Sequence, residues 1–71
     1  MNQERLLLVR RALGLLRTDF EENTWRAFWR TAVDGLPAAE VADELNMSSA
    51  AVRKAKSRVL QRLREELGSD V

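Results

Sequence analysis

Apolar side chains recur every three or four residues along most of the chain, which is the spacing of one face of an α-helix. Only three glycines and one proline interrupt this pattern. No segment alternates apolar and polar residues between turn residues, as a half-buried strand would. The pattern predicts a single all-α domain over residues 1–71, with no strand and with four helices at about residues 3–17, 20–34, 38–45 and 49–67.

The first predicted helix carries an unusually wide apolar face. Its stripe covers nearly half of the helix circumference and is formed by Leu6, Leu8, Val9, Leu13, Leu15 and Leu16. One neighbouring helix usually covers a narrower stripe than this. We therefore expect either that this helix is central in the fold or that part of its face meets something outside this chain.

All four aromatic side chains lie close together, in or just before the second predicted helix. Thr18 and Asp19 are both N-cap residue types, and Glu21 and Glu22 are capping-box partners for the start of this helix. Aromatic side chains bury a large area each, which a small domain needs. The predicted core comprises Leu13, Leu16, Trp25, Phe28, Trp29, Val41, Ala42, Leu45, Val52, Val59 and Leu63.

The C-terminal half has the order of a helix-turn-helix without winged elements: a short helix, a tight turn and a longer helix. Gly35 ends the preceding helix, and Pro37 opens the short one. Asn46 stands where the turn needs a left-handed backbone, which asparagine tolerates best after glycine. Ser48 is a clear N-cap for the longer helix. The inward positions of the motif are small or apolar: Val41, Ala42, Leu45, Met47, Val52 and Ala55.

Positive charge is concentrated on the last predicted helix. The chain has a net charge of only +1, but the first 47 residues carry six arginines against eight acids. From residue 48 onward there are six cations against three acids, and the stretch from Arg53 to Arg64 holds all six cations and no acid. Such a surface is typical of a protein that meets phosphates, the alternative being a solvated basic face.

The composition excludes several kinds of chemistry. Because the chain has no cysteine and no histidine, it has no disulfide, no zinc site of the usual ligands, and no Ser-His or Cys-His nucleophile. No apolar run approaches the roughly 18 residues of a membrane helix. We therefore expect a cytoplasmic domain that works by binding, with no enzymatic activity, no metal, no cofactor and no membrane partner.

The long basic helix has one face that points away from the predicted core. In a helix-turn-helix, the N-terminal part of the second helix enters the DNA major groove. Arg53 is the best base reader there, because its planar fork can pair with guanine O6 and N7, and Lys54 can contact a base or a phosphate. Lys56 falls near the inner stripe and is expected to snorkel. Expected contacts to the DNA backbone are Ser48, Ser57, Arg58 and Arg64.

The motif and its flanks also carry a recognisable set of residues. They are Gly35 before the motif, Glu40, Val41 and Ala42 in its first helix, Asn46, Met47 and Ser48 at the turn, Val52 after it, and Leu60, Arg62, Leu63 and Arg64 at the end. Over Phe20–Leu67 this pattern resembles the fourth conserved region of bacterial RNA polymerase sigma factors of the sigma-70 family. It is most similar to the extracytoplasmic-function (ECF) subgroup.

The resemblance implies sequence-specific DNA binding in transcription initiation. A domain of this kind recognises the upstream (−35) promoter element and holds the flap of the polymerase β subunit in an apolar groove between its helices, which anti-sigma factors often cover. Carried onto this chain, the base-reading positions are Ser49, Ala50, Arg53 and Lys54. Housekeeping sigma factors have long polar or charged side chains at the first two positions, and Ser49 and Ala50 cannot reproduce that readout. Ala50 can still touch a thymine methyl group.

The resemblance also implies that the chain is the C-terminal part of a longer sigma factor, which needs a further domain to melt the promoter. We expect the isolated domain to be a monomer. Two alternatives stay open at this point. One is the effector helix-turn-helix domain of a two-component or quorum-type regulator, which dimerises on paired half-sites. The other is a helical protein-interaction adaptor, which predicts no salt-sensitive DNA affinity.

Overall fold

The computed structural model describes residues 3–68, and every regular element in this range is helical. In chain order the four α-helices are α1 (Gln3–Leu16), α2 (Glu22–Phe28), α3 (Ala38–Leu45) and α4 (Ser49–Glu66). Helix α4 packs against all three others. The predicted all-α domain of four helices is confirmed. None of the described helices is long and apolar enough to cross a membrane.

The link between α1 and α2 differs from the prediction. A 3-10 turn at Arg17–Asp19 continues α1, and α2 begins after Glu21, which makes no side-chain capping bond. The Thr18 hydroxyl donates backwards to the Leu15 carbonyl at 3.3 Å instead of capping α2. The predicted capping box is therefore wrong. The Asp19 carboxylate is used in a tertiary contact, an ion pair of 3.0 Å with Arg62 of α4.

Helix α2 ends in a π-helical turn over Trp29–Val33, inside the range predicted as a regular helix. The amide of Asp34 donates to the Trp29 carbonyl at 3.1 Å, which is the wide spacing of a π turn. The Thr31 hydroxyl donates to the carbonyls of Ala27 and Phe28 at the start of this turn. Gly35 follows with a φ of 74°, a conformation that favours glycine, so the predicted helix-ending glycine is confirmed.

The core consists of two clusters that share α4. The first joins α2, α3 and α4 through Ala27, Val41, Ala42, Val52 and Ala55. The second joins α1, α2 and α4 through Leu16, Trp25, Phe28 and Val59. The helix-turn-helix is therefore packed on small and β-branched side chains, whereas α1 is held by larger ones.

Trp29 is the clear error in the predicted core, because it is 38% exposed. The face of α2 that meets α3 and α4 is carried instead by Ala27, which is fully buried and was not predicted. A methyl side chain at that position lets the helices approach closely. Leu13, Leu45 and Leu63 are half-buried against the two clusters. The other predicted core residues are buried: Leu16, Trp25, Phe28, Val41, Ala42, Val52 and Val59.

The turn between α3 and α4 has the predicted geometry. Asn46 is left-handed, with φ 58° and ψ 45°. The amides of Asn46 and Met47 donate to the carbonyls of Asp43 and Ala42 at 3.4 and 2.8 Å, which is the Schellman pattern of a helix end. The Ser48 hydroxyl then accepts from the Ala51 amide at 3.0 Å and caps α4. These bonds fix the direction in which α4 leaves the turn.

Candidate nucleic-acid interface

Helix α4 separates an apolar inner face from a polar outer face. Val52, Ala55 and Val59 are buried against the other helices. Lys56 is half-buried beside this inner stripe, at the position expected for a snorkelling side chain. The exposed side chains of the helix include Ala50, Arg53, Lys54, Ser57, Arg58, Gln61 and Arg64. The structure therefore places seven of the eight predicted contact residues on α4, and the eighth, Ser48, at its N-cap.

The start of α4 presents short side chains. Ala50 is exposed and Ser49 is half-buried, so Ser49 is less accessible than a base-reading residue was expected to be. The Ser48 hydroxyl oxygen is occupied by its capping bond to the Ala51 amide. The first-turn amides and the positive end of the helix dipole favour an approaching phosphate here. Arg53 and Lys54, one turn further on, are the first long side chains of the helix.

The cations of α4 differ in whether an acid neutralises them. Arg62 pairs with Asp19 at 3.0 Å and with Glu66 at 3.5 Å. Within residues 3–68, Arg53, Lys54, Arg58 and Arg64 have no ion pair. Lys56 has no ion pair among these residues either, but it is half-buried beside the inner stripe. The exposed cations of α4 that remain free for an anionic ligand are thus the four that were predicted to contact DNA.

These four cations do not form one compact patch. Arg53 and Arg64 are three turns apart, about 16 Å along the helix axis. Arg58 lies at the edge of the outer face, in a polar cleft that it shares with Gln61 and with Asp19 and Glu21 from the α1–α2 link. The arrangement is a stripe along α4 that suits an extended polyanion better than a small anion.

A bidentate ion pair that sequence reasoning missed joins α2 to the helix-turn-helix. The guanidinium of Arg30 donates to both carboxylate oxygens of Glu44 on α3, at 2.8 and 3.0 Å, and to Asp34 at 2.9 Å. Hydrogen bonds to Glu44 and then Asp34 raise the pKa of Arg30 above its ordinary value. The pair therefore joins the turn that ends α2 to α3, the first helix of the helix-turn-helix.

A second surface lies between α1 and α2. It is a groove of about 440 Å³ lined by Arg10, Leu13, Gly14, Arg17, Trp25, Arg26, Trp29 and Arg30. The Trp25 ring lies 5.3 Å from the Phe28 ring and 6.1 Å from the Trp29 ring, measured between centroids. None of the lining residues belongs to α4, so the groove is a separate surface from the basic stripe.

The described residues contain no cluster of three or more metal-ligating side chains.

Comparison with protein families decides which kind of helix-turn-helix this is. The family described as "Sigma-70, region 4" matches residues 22–63, from the start of α2 almost to the end of α4. The chain belongs to this family. No curated protein and no solved structure was found to match. The match confirms the predicted resemblance and favours it over the two alternatives.

Membership of the sigma-70 region 4 family establishes the general function. The domain is a DNA-binding domain of transcription initiation, of a kind that interacts with promoter DNA and with RNA polymerase. The family is not an enzyme family. The match begins at residue 22, so α1 and the α1 side of the groove lie outside it.

Proposed function

We propose that this domain recognises the upstream (−35) element of a promoter by placing the N-terminal half of α4 in the major groove. The observation that carries the proposal is the set of free cations on the outer face of α4, opposite the buried Val52 and Val59. The family supplies the context of transcription initiation. The fixed turn at Asn46 and the cap at Ser48 support the proposal, because they hold α4 in one orientation.

Each predicted contact residue has a role in this proposal. Arg53 reads a guanine through O6 and N7, and Lys54 contacts a base or a phosphate. Ala50 lies against a thymine methyl group, and Ser49 contributes a shorter contact beside it. The remaining positions, which are Ser48, Ser57, Arg58 and Arg64, hold backbone phosphates.

The groove between α1 and α2 is proposed to hold the flap of the polymerase β subunit. Its floor is apolar, through Leu13, Trp25 and Trp29, and it shares no residue with the DNA-binding stripe. A sigma domain needs both contacts at once, and two separate surfaces allow that. An anti-sigma factor that covers the groove would then block the polymerase. In this proposal the domain acts in the cytoplasm, as a monomeric part of a longer ECF-type sigma factor.

The test is a DNA titration of the double variant Arg53→Ala/Lys54→Ala. Removing one base-reading and one base- or phosphate-contacting side chain should weaken binding to upstream-element DNA by roughly 2–5 kcal/mol in total. The slope of log K against log salt should fall by about one unit for each phosphate that the variant no longer neutralises. The matched control is Arg10→Ala/Arg11→Ala, which removes the same charge from α1 and should retain most of the affinity.

Three outcomes of this titration would contradict the proposal. Equal losses of affinity in the two double variants would mean that only net charge matters. Binding of a dimer to paired half-sites would favour a two-component type of regulator. Absence of any salt-sensitive DNA affinity in the parent domain would favour the protein-interaction adaptor.

A further inference from the structure

The groove between α1 and α2 combines an apolar floor with a basic rim. Leu13, Trp25 and Trp29 form the floor, and every polar side chain that lines the groove is an arginine. Its volume of about 440 Å³ is in the range of roughly 300–1,000 Å³ that is usual for ligand-binding sites. A purely apolar occupant would leave this charge unmatched.

Only one edge of the groove carries free charge. On the α2 edge, Arg26 pairs with Glu22 at 3.0 Å and Arg30 pairs with Glu44 and Asp34. On the α1 edge, Arg10 and Arg17 have no ion pair among the described residues. These two are exposed and seven residues apart, about two helical turns or 10 Å. The free charge is therefore a pair of guanidinium groups along one wall.

Gly14 lies between these two arginines in the lining of the groove. A β-carbon added there would meet no atom within 4 Å, so internal packing does not require a glycine. A glycine inside a helix makes that helix less stable than an alanine would. Its effect is to leave room at the middle of the groove, next to the half-buried Leu13.

We infer that the groove binds an acidic amphipathic helix of a protein partner. The apolar stripe of that helix lies over Leu13, Gly14 and Trp29, and two of its carboxylates, two turns apart, face Arg10 and Arg17. This rests on the proposed docking function of the groove and adds the chemistry of the occupant. A second copy of α1 does not fit, because α1 carries three arginines against the single acid Glu4 and would bring like charges together.

The chain contains its own reporter for this site. It has two tryptophans, and both of them line the groove. The probe is a synthetic helix of about 14 residues, four turns, with a leucine stripe and glutamates at two positions seven residues apart. A matched peptide has glutamine at those two positions. The acidic peptide should change tryptophan fluorescence and bind about 3- to 30-fold more tightly than the glutamine peptide, with the difference shrinking at high salt.

Two double variants test which arginines cause the preference for the acidic peptide. Arg10→Gln/Arg17→Gln should abolish the difference between the peptides, whereas Arg5→Gln/Arg11→Gln, which removes the same charge from α1 away from the groove, should keep it. Gly14→Leu should fill the groove and weaken binding of both peptides. Circular dichroism checks that each variant keeps its helical content, so that a change in preference is not caused by unfolding.

The outcomes separate this inference from the docking function on which it rests. Equal affinities of the two peptides for the parent domain, with both still weakened by Gly14→Leu, would overturn the acidic partner and leave apolar docking intact. Absence of binding by either peptide would overturn both. An equal decrease of the preference in the two double variants would show a general charge effect and would also overturn the inference.

Discussion

Small side chains form the helix contacts in the half of the molecule that contains the helix-turn-helix, whereas aromatic side chains form the core of the half that contains α1 and α2. In the first half, alanines at the helix contacts leave Val41 and Val52 fully buried. In the second half, Phe28 is buried but Trp29 is 38% and Leu15 64% exposed. The first half thus uses nearly all of its apolar surface for its own packing, and the second does not.

This difference in packing corresponds to the two candidate binding surfaces, which are the basic stripe on α4 and the groove between α1 and α2. The helix-turn-helix half needs a polar outer face in a fixed orientation, and a tightly packed inner face provides it. The aromatic half keeps apolar area on its outside, on α1 and around the groove, and exposed apolar patches of this kind mark interaction sites. A chain of 71 residues has little apolar area to spare, since a small domain buries only about 60% of its surface.

The sharpest stability contrast is between two neighbouring aromatic residues. Phe28→Ala should destabilise the domain by about 3–5 kcal/mol, because it removes a buried ring and leaves a cavity. Trp29→Ala should cost about 1 kcal/mol or less, because that ring is partly exposed. Chemical denaturation followed by circular dichroism measures both. If Phe28→Ala does not fold, Phe28→Leu and Trp29→Leu give a milder matched pair, and equal destabilisation by the two would contradict the different burial of the rings.

Substitutions at Asn46 should change the stability of the domain according to the backbone conformation that the new residue allows, and less according to its size. Asn46→Val should destabilise the domain by about 1–2 kcal/mol, because a β-branched residue resists positive φ. Asn46→Gly should be neutral or slightly stabilising, since glycine adopts this conformation freely. The free energy of unfolding of the two variants is the measurement. Similar values for both would mean that the left-handed turn does not contribute.

Substitution by alanine should change the stability of the domain in opposite directions at Gly14 and Gly35. Gly14→Ala should stabilise the domain by about 1 kcal/mol, because the residue lies in a helix interior and its β-carbon meets nothing. Gly35→Ala should destabilise it by a similar amount, about 1–2 kcal/mol, because Gly35 has a φ of 74°. Thermal unfolding of the two variants gives the comparison. A shift in the same direction for both would contradict it.

The helix-turn-helix was predictable residue by residue because its constraints are local. The bounds of α3 agree with the prediction, and α4 ends one residue earlier than expected. Asn46 and Ser48 act on backbone groups within five residues of themselves, so their types alone indicate their roles. Once Val52 is known to face the core, the helical period identifies the residues that form the outer face of α4.

The region around α2 was less predictable because its burial depends on distant helices. The spacing of Trp25, Trp29 and Val33 fits a buried stripe, but residues 29–33 form a π turn and both Trp29 and Val33 are exposed. The small residue Ala27, between Trp25 and Phe28, was the available signal for the true contact face. The bidentate pair of Arg30 with Glu44 spans 14 residues and leaves no periodic trace in the sequence.

We propose that the basic outer face of α4 and the groove between α1 and α2 bind their partners independently. The most direct test measures the affinity of a β-flap peptide, followed by tryptophan fluorescence, without DNA and with saturating upstream-element DNA. Because the surfaces share no residue, the affinity should change by no more than about 0.5 kcal/mol, roughly twofold. Displacement of the peptide by DNA, with the helical content unchanged, would show that the surfaces overlap and would contradict their independence.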